Sequence, residues 1–188
     1  HTASPFVIAQ PTTPDTLLRP AVDGTRRVLE AAAAAGVKRV VLTSSTVAVI
    51  NEGKPDALHD EDDWCDVHLP STTPYARSKT LAERKAWEIA RESGLELTVI
   101  NPGLALGPPL DGHYGVSLGL VERVMRGKDL MLPSFGLAMV DVRDAAEMHL
   151  RALQRPETAG RRYLAVAGSL AMVDMGRTLK AAYPTRRI

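Results

Sequence analysis

Val37-Lys38-Arg39-Val40-Val41-Leu42-Thr43-Ser44-Ser45-Thr46 decides the fold class of this chain. From Val37 to Leu42 the run is nearly continuous, apolar and rich in valine, broken only by Lys38-Arg39 at its entrance, as suits a strand covered on both faces. It closes on hydroxyl side chains. Ligands of open α/β sheets bind at the carboxyl ends of parallel strands, which makes Thr43, Ser44 and Ser45 candidate site residues. The alternative is a polar strand end that hydrogen-bonds its own turn.

On the amino side, Pro5 to Pro20 is proline-rich with few periodic apolar positions and reads as a surface loop. The spacing of Val22, Leu29, Ala32 and Ala33 predicts a helix over about Leu18 to Ala35, with Gly36 as its C-cap glycine. On the carboxyl side, Asn51 to Pro74 is a long polar connection carrying Asp60-Glu61-Asp62-Asp63 and Trp64. Loops of that length are often lids or binding loops. The acidic group reads as a solvated turn or helix start, and His59 and His68 lack a metal-ligand spacing.

Thr73-Pro74 makes a helix entrance, with Thr73 as N-cap and proline at the first helical position, and the helix runs to about Glu92 before Gly94. Its apolar surface is Leu81, Ala82, Ala86, Ile89 and Ala90; Glu83, Arg84 and Arg91 are expected on the wet side. Leu95 to Ile100 is the next strand, ending at Asn101-Pro102-Gly103. Strand, long helix, strand implies a parallel sheet with right-handed crossovers. Further on, the pattern predicts a short helix over Val116 to Arg126, a strand over Ala138 to Val142, a helix over Arg143 to Leu153, a strand over Arg161 to Val166 and a helix over Met172 to Ala182. Gly112, Gly115 and Gly119 follow no strand and read as a loop rather than a phosphate cradle. Asp141 is expected to cap the helix that follows it, and His149 to be packed or on the surface.

Composition narrows the function class. At 188 residues, 45% hydrophobic and 24% charged, the chain can bury one sizeable core. Its formal net charge of +1, without a basic block interleaved with aromatics, suggests neither a nucleic-acid nor an anionic-membrane partner. Cys65 is the only cysteine, which fits a reducing compartment, and the cytoplasm is the expected location. No apolar run approaches a membrane span, and the opening lacks both the pattern of a signal peptide and an initiator methionine, so an internal piece of a longer polypeptide is expected.

Chemistry enters with Tyr75-Ala76-Arg77-Ser78-Lys79. Tyrosine and lysine four apart stack on one helix face. A phenol of reference pKa ~10 is a poor acid-base group at neutral pH, but an ammonium one turn away stabilises its phenolate. If Ser45 hydrogen-bonds the same substrate oxygen, a developing alkoxide is held by two donors while a hydride arrives from elsewhere. That hydride requires a nicotinamide.

These motifs in this order resemble the extended short-chain dehydrogenase/reductases, the NAD-dependent epimerase/dehydratase superfamily, and within it the dihydroflavonol reductase-like carbonyl reductases. The resemblance is carried by His1-Thr2-Ala3-Ser4-Pro5, Val22-Asp23-Gly24-Thr25, Val41-Leu42-Thr43-Ser44-Ser45 and Asp60-Glu61-Asp62-Asp63-Trp64. It continues through Pro74-Tyr75-Ala76-Arg77-Ser78-Lys79-Thr80-Leu81-Ala82-Glu83, Asn101-Pro102-Gly103-Leu104-Ala105-Leu106-Gly107-Pro108 and Val140-Asp141-Val142-Arg143-Asp144.

The resemblance implies an α/β fold, a doubly wound parallel sheet of Rossmann type, incomplete at the N-terminus, with a smaller α+β substrate-binding part. Residues 1–106 would be the C-terminal half of the dinucleotide-binding domain, and 107–188 mainly the substrate-binding part with some elements returning to the sheet. Ser45 would orient the carbonyl, Tyr75 donate the proton, and Lys79 lower the Tyr75 pKa while binding the nicotinamide ribose. Ala3, Thr43 and Ser44 would lie beside the cofactor, and Pro102, Gly103, Leu104 and Ala105 would cradle the nicotinamide. The implied activity is reduction of a small aldehyde or ketone with NADP or NAD, NADP favoured, by a monomer or homodimer. The family's Gly-x-x-Gly-x-x-Gly pyrophosphate turn is not among these residues, and its relay asparagine would fall near Ala21. Alternatives are a nucleotide-sugar epimerase or dehydratase of the same superfamily and a non-catalytic dinucleotide-binding regulatory protein.

Overall fold

A computed structural model describes residues 1–2, 15–50, 53, 57–112, 114–127, 131–132 and 136–188. Helix α1 (Asp15–Ala34) leads into strand β1 (Arg39–Thr43), and helix α2 (Pro74–Ser93) into β2 (Glu96–Pro102) and β3 (Leu104–Leu106). Helix α3 (Val116–Met125), β4 (Gly136–Asp141), α4 (Val142–Gln154), β5 (Arg162–Ala165), β6 (Gly168–Ala171) and α5 (Met172–Ala182) complete the order.

Local chemistry sets the ends of α2. Thr73 Oγ1 accepts the Ala76 N–H at 3.1 Å, Pro74 begins the helix, and Gly94 ends it at φ +73°, a left-handed conformation that glycine adopts without a Cβ penalty. Helix α1 starts three residues earlier than the pattern predicts, and Pro20 lies inside it. Proline removes one N–H there, but fully buried Leu17 draws the extra turn into the core. Strand β1 starts two residues late because Val37 and Lys38 are exposed.

Two sheets result. The first has strand order β1-β2-β5 with both pairings parallel; the second has order β3-β4-β6, parallel then antiparallel. Strand periodicity divides the first sheet's side chains between two faces. Leu42, Leu97 and Val99 pack with Leu29 of α1 and Ala86, Ile89 and Ala90 of α2. Ile100 and Ala165 turn the other way and pack with Ala145 and Ala152 of α4 and Val140 of β4. A third cluster, Val124, Met172 and Met175, joins α3 and α5 over the second sheet. Strands β3 and β6, of three and four residues, escape the sequence pattern because neither completes a hydrophobic period.

The chain passes from the first sheet to the second at Gly103. Its N–H donates to the Ala165 carbonyl at 3.1 Å, and a Cβ here would meet the Ala138 carbonyl oxygen at 2.4 Å. Only glycine permits that approach.

Candidate active site

The site grows from the carboxyl end of β1. The Ser44 N–H bonds the Ile100 carbonyl at 2.8 Å, extending the parallel ladder one residue past the strand. Ser45 then leaves the sheet at φ −165° and caps a short 3-10 turn, Thr46–Ala48, its Oγ taking the Val47 N–H at 3.4 Å. The polar strand-end reading therefore holds for Ser45, and it does not exhaust that hydroxyl. Tyr75, in the first turn of α2, lies within side-chain hydrogen-bond reach of Ser45. Burial pushes the Tyr75 phenol above its ordinary range, and the Ser45 contact pulls it back by less. The expected net lowering is thus not what the structure gives: burial outweighs it, and the phenol stays protonated at neutral pH.

Lys79 follows one turn along. Its side chain is buried, and Nζ donates to the Thr43 carbonyl at 3.3 Å. Desolvation lowers its pKa to about 8, with the Glu83 carboxylate opposing the fall. Below about pH 8 Lys79 is an ammonium beside a phenol, and above that it becomes a neutral amine. Thr43 itself faces two ways. Its carbonyl meets Lys79, while its hydroxyl pairs with His149 Nε2 at 2.7 Å on the α4 face. His149 Nδ1 in turn contacts the Ala145 carbonyl at 2.6 Å, so Nδ1 carries a proton and donates it there.

Ser44 is buried with no partner for its Oγ among the described residues. It borders a cavity of about 10 Å³ shared with Thr25, Thr43, Lys79 and Glu83, enough for roughly one water molecule. Ala21, where the family's relay asparagine was expected, is a buried apolar residue one turn before Thr25. Pro102 ends β2, Gly103 makes the crossing, and Leu104 and Ala105 are half-buried in β3 opposite Met139 and Val140. Ala3 lies outside the described residues.

Beneath the site is a group that the sequence pattern misplaces. Glu83 was expected to face water; its side chain is fully buried. Its Oε1 takes Arg162 Nε at 2.6 Å and Trp87 Nε1 at 3.3 Å, and its Oε2 takes Asn101 Nδ2 at 2.8 Å. Asn101 Nδ2 also donates to the Ser45 carbonyl at 3.2 Å. Arg162 stacks on Trp64 at 3.9 Å from the ring centroid, and its Nη1 reaches the Glu61 and Asp63 carbonyls at 2.9 and 2.6 Å. Glu61 Oε1 accepts the Leu164 N–H at 3.1 Å, so the acidic turn is clamped to β5 rather than merely solvated. One signal was available: Tyr75, Lys79, Glu83 and Trp87 repeat every fourth residue along a single helix stripe. A broad hollow of about 910 Å³ lies beyond this clamp, lined by Trp64, Arg84, Trp87 and Tyr163 and by none of Ser45, Tyr75 or Lys79.

Three comparisons with known proteins bear on family and fold. The NAD dependent epimerase/dehydratase family matches residues 1–166. Cinnamoyl-CoA reductase 1 of Arabidopsis thaliana is 41% identical over 169 residues, covering 88% of this chain and 48% of the relative. The chain spans about half the length of such curated relatives. Among solved structures, yeast methylglyoxal/isovaleraldehyde reductase Gre2 complexed with NADPH superposes with a TM-score of 0.86 at 33% identity, over 100% of this chain and 61% of that one. Vestitone reductase from alfalfa gives 0.81 at 30% identity, over 100% and 60%. The parallel sheet and its flanking helices are therefore Rossmann-like, and the chain belongs to the NAD dependent epimerase/dehydratase family.

Proposed function

We propose that the protein carrying this sequence reduces the carbonyl of a small aldehyde or ketone to an alcohol, with Tyr75 as proton donor. The observation that carries the reading is the convergence of Ser45 and Tyr75 within hydrogen-bond reach, one turn from a buried Lys79 ammonium. A nicotinamide dinucleotide supplies the hydride when bound. The donor set fits such a group: among the described residues Lys79 Nζ has one hydrogen bond, to Thr43, which leaves N–H capacity for ribose hydroxyls. Ser44 Oγ, buried and without a partner among the described residues, is a further polar atom at the same strand end. NADPH is favoured over NADH, since the solved relative is complexed with NADPH.

In this reading Ser45 Oγ orients the substrate oxygen and shares it with the Tyr75 hydroxyl. Tyr75 gives up its proton as negative charge grows on that oxygen, and the Lys79 ammonium stabilises the phenolate left behind. Burial holds water away and keeps the phenol protonated beforehand. Pro102 to Ala105 would hold the nicotinamide. Residues 1–106 form the dinucleotide-binding part, and 107–188 mainly the substrate-binding part, with β5 returning to the first sheet. The reading takes the protein as a cytoplasmic monomer or homodimer; the single, buried cysteine suits a reducing compartment.

NADPH and NADH oxidation, followed at 340 nm against short aldehydes, aryl ketones and a cinnamoyl thioester, tests the proposal. Tyr75→Phe should lower turnover by about 10²–10⁴-fold. Its NADPH-dependent rise in melting temperature should persist, because binding alone produces it. Equal turnover by wild type and Tyr75→Phe would overturn the mechanism.

A further inference from the structure

The buried carboxylate of Glu83 has more partners than a helix-surface ion pair requires. It sits one turn beyond Lys79 on the same stripe, takes Arg162 and Trp87 on one oxygen, and takes on the other the Asn101 amide that also holds the Ser45 carbonyl. Asn101 is wholly buried, and both bonds come from its single nitrogen, so the amide is oriented by what it bridges. Ser45 is thus connected to Glu83 through one side chain, and Lys79 through one helical turn. We infer that Glu83 is a positioning residue of the site: through Asn101 it holds the Ser45 carbonyl in place, and from one turn along α2, across the same small cavity, it supplies the counter-charge to Lys79.

This rests on the reading of Tyr75 and Lys79 as the proton-transfer pair, but its test does not depend on turnover. The charge balance around Lys79 has few members. Tyr75 and Glu83 face it from α2 and the Thr43 carbonyl from β1; His1 borders the same small cavity, and His149 approaches Thr43 from α4. Arg162 lies behind Glu83, and desolvation already drives Lys79 toward neutrality. Removing the carboxylate charge takes away the counter-charge that opposes that drive.

Lysine labelled with ¹³C at Cε, titrated by NMR in the cofactor-free protein, reads the Lys79 midpoint directly. In Glu83→Gln, which keeps an amide oxygen for Asn101, the midpoint should fall by roughly one pH unit. Trp64→Phe loosens the same clamp without changing its charge, so it should lower the melting temperature and leave the Lys79 midpoint where it is. A purely structural Glu83 would give a less stable Glu83→Gln with an unmoved midpoint, and that result overturns the inference. If Glu83→Gln does not fold, the wild type still decides: the Glu83 carboxyl ¹³C signal should move as Lys79 titrates, and a flat signal overturns the coupling. The Ser45 arm is read at the Thr46 amide nitrogen, whose shift follows hydrogen bonding of the preceding carbonyl. It should move in Glu83→Leu and hold in Glu83→Gln; no movement in Glu83→Leu removes that arm. A displaced Lys79 midpoint in a protein that reduces no carbonyl would leave the positioning role standing and sink the reductase reading instead.

Discussion

The two sheets differ in how they are held, and the difference maps onto chemistry. In the first, β2 is buried at nearly every residue, with α1 and α2 on one face and α4 on the other. Its polar residues are buried in pairs: Thr98 with Thr158, Asn101 with Glu83, and Glu83 with Arg162. The second sheet has strands of three, six and four residues that are mostly half-buried, and its core of Val124, Met172 and Met175 leans on partly exposed neighbours. The proposed proton-transfer groups would need fixed geometry, and they sit on the more deeply buried sheet. The looser sheet could vary its lining, as the proposed substrate-binding part would require.

The strongest way to break that contrast is to attack the buried ion pair. Arg162→Met leaves the Glu83 carboxylate buried without its cation and should cost about 3–5 kcal/mol in urea unfolding. A cost near zero would mean that Asn101 and Trp87 suffice, and that the clamp is dispensable. A matched pair of truncations compares the cores directly. Leu97→Ala, at a residue 1% exposed, should cost about 2–5 kcal/mol, and Leu137→Ala in the second sheet only about 1 kcal/mol. Equal costs would refute the contrast.

A subtler test uses pH. The folded Lys79 releases its proton near pH 8, whereas an unfolded lysine holds it to about 10.5. Between these values the unfolded chain binds more protons, so the Lys79 contribution to stability rises with pH, by an amount on the order of 3 kcal/mol. Lys79→Met should flatten this rise and raise the melting temperature at pH 7, because the buried ammonium costs most where it is charged. On the proposed reading, reduction should decline as the pH passes about 8 and the Lys79 ammonium is lost.

Much of the first sheet was legible because its signals are local. The valine run, the Thr73-Pro74 entrance and the Gly94 exit each depend on a few neighbouring residues, and the α2, α4 and α5 boundaries fall within about two residues of expectation. Tyr75 and Lys79 share a stripe for the same reason. Strands β3 and β6 were not legible, because a three- or four-residue strand is defined by its partner rather than by its own pattern.

Residue chemistry and spacing indicated the parallel strand-helix-strand unit, and the resemblance of a serine, a tyrosine and a lysine in family order pointed to the kind of protein. These follow from periodicities of two and 3.6 residues and from side-chain types, which any window of the chain displays. The environment of those groups came from contacts between residues far apart in the chain. Glu83 is surface-like by helix pattern until Arg162, seventy-nine positions later, buries it. The Tyr75 phenol rises rather than falls because burial is a property of the assembled core. Desolvation and long-range pairing exist only once the sheets have closed, and for that reason the candidate residues were readable in sequence while the electrostatics around them were not.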